Sequence, residues 1–143
     1  MIINQRSSVR IISGSKRGSK IRFQTAPGLR PSGDRIRETL FAWLQTSIAG
    51  SQCLDMFAGS GALGFEAASR GADRVVMLEK NKSAARSLKE NADRLRFDNV
   101  DILAADALTR DTYEVRLAGE QFDVVFIDPV SYTHLTLPTI YSV

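Results

Sequence analysis

Cys53-Leu54-Asp55-Met56-Phe57-Ala58-Gly59-Ser60-Gly61-Ala62-Leu63-Gly64 decides the fold. It begins as a short apolar strand, turns on a G-x-G-x-x-G, and enters a helix that runs through Arg70 and stops at Gly71. Glycines suit such a turn because the chain must reverse tightly and let a ligand approach its backbone, while the helix N-terminus offers N–H groups and a positive dipole. Outward from it, strands are expected at Arg74 to Leu78, Val100 to Ala104 and Phe122 to Ile127. Helices are expected at Lys82 to Leu95 and, on weaker periodicity, Ala107 to Leu117. This alternation is the pattern of βαβ units around a parallel sheet, an α/β Rossmann-like fold whose first four strands take the order 3-2-1-4. Cys53 is then a core strand residue.

The carboxylates follow the same geometry. Glu79 ends the second strand, twenty positions after Gly59, where a carboxylate suits the ribose hydroxyls of an adenosine cofactor. The glycine turn alone fits NAD equally well. Asp55, just before the turn, would repel a pyrophosphate but accept hydrogen bonds from an ammonium group. Asp106 follows strand three, within reach of an adenine amino group, and strand four ends in Asp128-Pro129. Taken singly, Asp106 can be a helix cap and Asp128-Pro129 a turn. Together they place four acids at the carboxyl ends of four strands, around the crevice where open α/β sheets bind ligands. S-adenosylmethionine is the cofactor that unites an ammonium, a ribose and an adenine.

Here the sequence resembles a class I methyltransferase, with Asp55 to Gly61 as the cofactor motif and Asp128-Pro129 as the start of the Asp/Asn-Pro-Pro-Phe/Tyr motif of amino-group methylation. It resembles more narrowly the RsmD-type 16S rRNA (guanine-N2)-methyltransferase family, from about Val9 to Pro129. Arg10-Ile11-Ile12-Ser13-Gly14, Gly28-Leu29-Arg30-Pro31 and Asp34 to Leu44 carry that narrower likeness. The resemblance implies methylation of the exocyclic N2 of a guanine in bacterial small-subunit ribosomal RNA, by direct displacement at the sulfonium methyl without a metal. It also implies that Asp55 holds the methionine ammonium, Glu79 the ribose and Asp106 the adenine, with Phe57, Gly59, Ser60 and Gly61 completing the cofactor site. Asp128 and the Pro129 carbonyl would accept the two N–H bonds of the target amine. The partner implied is ribosomal RNA, in the small subunit or an assembly intermediate, met by a monomer.

Charge supports such a partner. Residues 1–37 hold nine of the 19 Lys and Arg but only one acid, Asp34, for a local charge of +8; the remaining ten bases face fifteen acids, for −5. Residues 9–23 read as two β-prone runs around a Gly/Ser/Lys turn, a basic hairpin in which Arg10, Lys16, Arg17, Lys20 and Arg22 would grip phosphates. Arg30, Arg35 and Arg37 continue the basic surface into a helix expected from Asp34 to Ile48, capped by Ser32 or Asp34. Its apolar positions are Ile36, Leu40, Phe41, Leu44 and Ile48, with Trp43 packed against the body. A charged stretch of this kind is as often only a solvated face.

The other totals exclude more than they assign. A 143-residue chain defaults to one domain and can bury roughly 68% of its unfolded surface. A single Cys and a single His, His134, preclude an internal disulfide and the usual zinc ligand sets. With no apolar run near the ~18 residues of a membrane span and no secretory signal, a cytoplasmic protein is expected. The expected division is a basic arm over 1–31, a cofactor-binding core over 32–129, and 130–143 as a segment outside the family pattern. There Val130 and Ser131 stand where the motif calls for Pro and an aromatic ring, Tyr132 comes one position late, and Ser131 to Val143 contains no charged residue. That segment resembles a sequencing-end artefact, so the expectation is a truncated core with a foreign tail, weakly active or inactive, whose fourth strand becomes an edge or pairs with the tail. The competing readings are an amino methyltransferase for DNA adenine or protein, a non-catalytic RNA-binding fragment, and an NAD-dependent oxidoreductase, against which Asp55 argues.

Overall fold

The computed structural model describes residues 6–24, 33–128 and 139–142. A hairpin of β1 (Arg6–Arg10) and β2 (Lys20–Gln24) precedes α1 (Asp34–Trp43). Then follow β3 (Gln52–Asp55), α2 (Ala62–Ser69), β4 (Arg74–Leu78), α3 (Lys82–Arg94), β5 (Val100–Leu103), a π-helical turn (Thr112–Arg116), β6 (Val124–Ile127) and β7 (Thr139–Ser142). The large sheet has the order β5-β4-β3-β6-β7. Its first four strands are parallel and reproduce the expected 3-2-1-4 arrangement of a class I methyltransferase. At the edge, β7 runs antiparallel to β6, Val124 opposite Ser142 and Ile127 opposite Thr139, so strand four does pair with the final segment.

Strand alternation divides the core in two. Cys53, Val75, Met77, Val124 and Phe126 face the hairpin, α1, α2 and α3, whereas Leu54, Val76 and Leu78 pack with Ala107 and Leu117 on the opposite face. Because β4 is covered on both sides, Val75 to Leu78 is a continuous apolar run with each residue fully buried. Helix α2 is buried along its whole length, which explains its small residues. In α3, Ala85, Leu88 and Ala92 form one inward stripe, and the Asn81 side chain caps the helix by accepting from the Ala84 N–H at 3.0 Å.

Four expectations need correction. Helix α1 ends at Trp43; Leu44 and Ile48 are still buried, but they sit in turns. Its N-cap is Gly33, with no side-chain cap bond, while Ser32 lies outside the described residues. Trp43 is 77% and Ile36 46% exposed, because Arg37, Leu40 and Phe41 occupy the inward face that they were expected to share. The helix expected at Ala107 to Leu117 is reduced to the π-helical turn. There the Asp106 side chain accepts from the Leu108 N–H and the Thr112 hydroxyl donates to the Asp106 carbonyl, local bonds that compete with a regular helix.

Among the described residues no helix is long and apolar enough to cross a membrane, and no three His, Cys, Asp or Glu side chains cluster as metal ligands.

Candidate functional site

Asp55, Glu79, Asp106 and Asp128 lie at or just beyond the carboxyl ends of the parallel strands β3, β4, β5 and β6, the end at which open α/β sheets form a ligand crevice. The Asp55 side chain is buried under the glycine turn: Oδ2 accepts from the Gly64 N–H at 3.1 Å, and Oδ1 is buried with no hydrogen-bond partner in good geometry among the described residues. Burial pushes its carboxyl up to about 7, and the nearby Asp128 carboxylate adds to the rise, against the Gly64 and Phe57 backbone N–H groups. An acid in this state favours a cation beside it.

The turn is held open by backbone. Gly61 adopts φ +87°, and a Cβ there would stand 2.6 Å from the Phe65 ring and 2.7 Å from Leu88. A Cβ on Gly64 would meet Met77 at 2.5 Å and Asp55 Oδ2 at 3.2 Å, so the third glycine lets α2 approach the strands. Gly61→Ala therefore combines positive-φ strain with a side-chain clash and should destabilise the fold by about 2 kcal/mol while lowering cofactor affinity more than tenfold. Thermal melts and calorimetric titration with S-adenosylmethionine check both effects.

Glu79, 3% exposed, ties the turn to the next helix: Oε1 accepts from the Gly59 N–H at 2.9 Å and Oε2 from the Asn81 N–H at 2.8 Å. Phe57 is half-buried and Ser60 buried in the same turn. Asp106 is farther out; Oδ1 accepts from the Leu108 N–H at 2.9 Å and Oδ2 lies 3.9 Å from Lys80 Nζ. The first bond closes a local turn rather than capping a helix, since the π-helical turn starts only at Thr112, and the second oxygen is within ion-pair distance of Lys80. Asp128 sits half-buried after β6, while Pro129 and Arg30 lie outside the described residues.

Of the basic residues, Arg10, Arg17, Lys20, Arg22 and Arg35 are exposed; Lys16 is half-buried, with its ammonium 5.9 Å from the Phe97 ring centre. Arg37 is the exception. It is fully buried, donates to Glu66 Oε1 at 3.2 Å, to Asp34 Oδ1 at 2.5 Å and to the Arg10 carbonyl at 3.1 Å, and so cannot present its charge to a nucleic acid. Glu66, also fully buried, accepts from the Ile12 and Ser13 N–H groups at 2.9 and 3.0 Å and from Arg70 at 2.8 Å. Together with Ser69, whose hydroxyl donates to the Ser13 carbonyl and accepts from the Lys16 N–H, this pair fastens the hairpin to α2. Sequence reasoning missed that clamp, although a lone Glu in the apolar run Leu63 to Ala68 was its signal.

The family model described as Conserved hypothetical protein 95 matches residues 9–140. The Haemophilus influenzae protein named ribosomal RNA small subunit methyltransferase D is 44% identical over 132 residues, which are 92% of this chain and 68% of that protein. A solved hypothetical protein from Thermus thermophilus is 37% identical with a TM-score of 0.70, covering 82% of this chain and 66% of that one. A T. thermophilus 16S rRNA N2 methyltransferase (RsmC), solved with AdoMet and guanosine, is 25% identical with a TM-score of 0.58 over 85% of this chain and 31% of its own. The chain thus spans about two thirds of the first two proteins. On that match and on the sheet order that agrees with it, this chain belongs to the Conserved hypothetical protein 95 family, the RsmD-type methyltransferases.

Proposed function

We propose that the chain is the cofactor-binding and RNA-docking portion of a methyltransferase that modifies the exocyclic N2 of a guanine in small-subunit ribosomal RNA, acting as a cytoplasmic monomer. The names of its relatives support the ribosomal substrate, and the T. thermophilus structure with AdoMet and guanosine supports the chemistry. The observation that carries the reading in this chain is the buried Asp55 carboxyl beneath a glycine cradle, one oxygen of which has no well-aligned hydrogen-bond partner among the described residues. A pyrophosphate would be repelled there, whereas an ammonium supplies the missing donor and draws the carboxyl back to its charged form.

The residues fit S-adenosylmethionine, which when bound supplies an activated methyl group. Asp55 holds its ammonium; Glu79, fixed in orientation by the Gly59 and Asn81 N–H groups at the end of β4, accepts from the ribose hydroxyls; Asp106 accepts from the adenine amine; Phe57, Gly59, Ser60 and Gly61 shape the turn around it. Asp128 accepts an N–H of the guanine amine, with the Pro129 carbonyl taking the other. These bonds favour a pyramidal nitrogen, whose lone pair is otherwise delocalised into the ring, and such positioning can lower a barrier by several kcal/mol. Val130 and Ser131 replace the Pro and aromatic ring that would stack on the base, so turnover by this chain should be low even where cofactor and RNA bind.

Two measurements test the reading. Calorimetric titration should show S-adenosylmethionine binding and none for NAD; the reverse result overturns the cofactor. Radiolabelled methyl transfer to small subunits from a strain lacking the modification should be slow, and should rise when Val130 and Ser131 are replaced by Pro and Phe. Label appearing in DNA or protein instead would move the substrate assignment.

A further inference from the structure

A second polar cavity, of about 290 Å³, lies between β2 and α3, outside the crevice. Arg22 from the hairpin and Ser83, Arg86, Ser87, Glu90 and Arg94 from successive turns of α3 line it. Three guanidinium groups and one carboxylate leave it positive. Among the described residues no carboxylate lies within salt-bridge distance of any of the three arginines, although Glu90 is spaced to pair with Arg86 or Arg94.

The cavity is built rather than fortuitous. Asn91 binds the β2 backbone on both sides, accepting from the Arg22 N–H at 3.1 Å and donating to the Arg22 carbonyl at 2.7 Å. Arg94 is anchored by bonds to the Lys20 carbonyl at 2.5 Å and to Asn91 Oδ1 at 2.7 Å. Arg22 is thereby held beside Arg94, and burial together with that neighbouring positive charge lowers the Arg94 pKa. Like charges held together by backbone contacts, three against the single Glu90 carboxylate, are relieved by an anion. Paired serine hydroxyls at i and i+4 add donors suited to phosphate oxygens. One end of the cavity, at Ser83, is two residues from Asn81, whose N–H is bonded to Glu79; the other end is the hairpin.

We infer that Arg22, Arg86 and Arg94 form a phosphate-binding groove that carries the backbone of the RNA substrate from the hairpin toward the cofactor crevice. This rests on the proposed RNA substrate and adds α3 as a second, rigid half of its binding surface. Phosphodiesters, rather than an acidic peptide, fit because the planar guanidinium forks match phosphate oxygens, the serine hydroxyls add further donors, and the groove continues directly from the basic hairpin.

The test is fluorescence anisotropy of a labelled small-subunit rRNA fragment across a salt series, with Arg22→Gln, Arg86→Gln and their combination. Lys89→Gln, which removes the same charge from α3 outside the cavity, is the control. Each groove substitution should weaken binding about fivefold at 0.15 M salt and reduce the salt slope by about 0.7 to 0.9, with S-adenosylmethionine affinity unchanged, while Lys89→Gln changes binding less than twofold. Equal effects from Lys89→Gln and Arg86→Gln overturn the groove as a site, leaving only diffuse charge. Loss from Arg10→Gln and Arg17→Gln with none from the groove variants overturns the groove and keeps the RNA reading. Failure of the unsubstituted chain to bind rRNA at all overturns both. Loss of small-subunit binding with naked rRNA binding intact assigns the groove to a ribosomal protein and overturns the inference.

Discussion

Replacing Asp55 with asparagine should make the free protein more stable at pH 8 and remove its affinity for S-adenosylmethionine. A carboxyl held at about 7 in the folded state against an ordinary 3.8 binds more protons folded than unfolded between those values. Stability therefore falls as pH rises from about 4 to about 7 and is flat above, the reverse of a salt-bridged acid. The charged form costs on the order of 4 kcal/mol at pH 8. Asparagine keeps an acceptor for the Gly64 N–H and turns an amide donor toward Asp128, so half or more of that cost should be recovered. A gain of about 2 kcal/mol raises the melting temperature of a domain this size by roughly 8 °C. At pH 4, where Asp55 is protonated in the folded state, the two proteins should melt within a degree or two of each other. Equal stabilisation at both pH values would show that ionisation of Asp55 is not the cause.

The same carboxyl sets the pH dependence of cofactor binding in the unsubstituted chain. An ammonium binds the ionised form, so affinity should rise about tenfold per pH unit up to about 7 and then level off, with a proton released on binding at pH 6. A buried, strained acid that becomes comfortable only with ligand present is a stability cost retained for function.

How much of this was legible in the sequence depends on the range of the interactions. The sheet order and the positions of Asp55, Glu79 and Asp128 follow from local pattern: an apolar run, a glycine turn, a carboxylate at each strand end. The doubled bonding of Glu79 to Gly59 and Asn81 was within reach too, because Asn81 precedes a helix at a capping position. The hairpin contacts were not. Glu66 meets Ile12 and Ser13 across more than fifty residues, and Asn91 meets Arg22 across 69, separations that no periodicity reports. Arg37 shows the cost: its neighbours made it part of a basic surface, yet its spacing with Leu40, Phe41 and Leu44 already placed it on the inward face of α1.

Glu66→Ala should be the most destabilising substitution outside the core proper, at about 3 to 5 kcal/mol, because it leaves the Arg37 guanidinium fully buried with only Asp34, itself exposed, to balance it. Glu66→Gln is the milder variant: one amide oxygen still serves Ile12 or Ser13, but its NH₂ confronts donors. Urea titration reads the loss for both. The location of the clamp adds a sharper expectation. Helix α2 begins at the glycine turn and carries Glu66 and Ser69 in its last turns, where they hold residues 12–16 of the hairpin. In Glu66→Gln, hydrogen exchange should therefore accelerate at the Ile12, Ser13 and Lys16 amides while β3 and β4 stay protected, and rRNA affinity should fall while S-adenosylmethionine affinity holds. Adding Arg37→Met removes the uncompensated charge and replaces it with a side chain of similar length, so the double variant should be more stable than either single one, as buried ion pairs exchanged whole often are. Simple addition of the two single losses would mean that Arg37 and Glu66 act separately, and that the hairpin is held by its apolar residues Ile11, Ile21 and Phe23 alone.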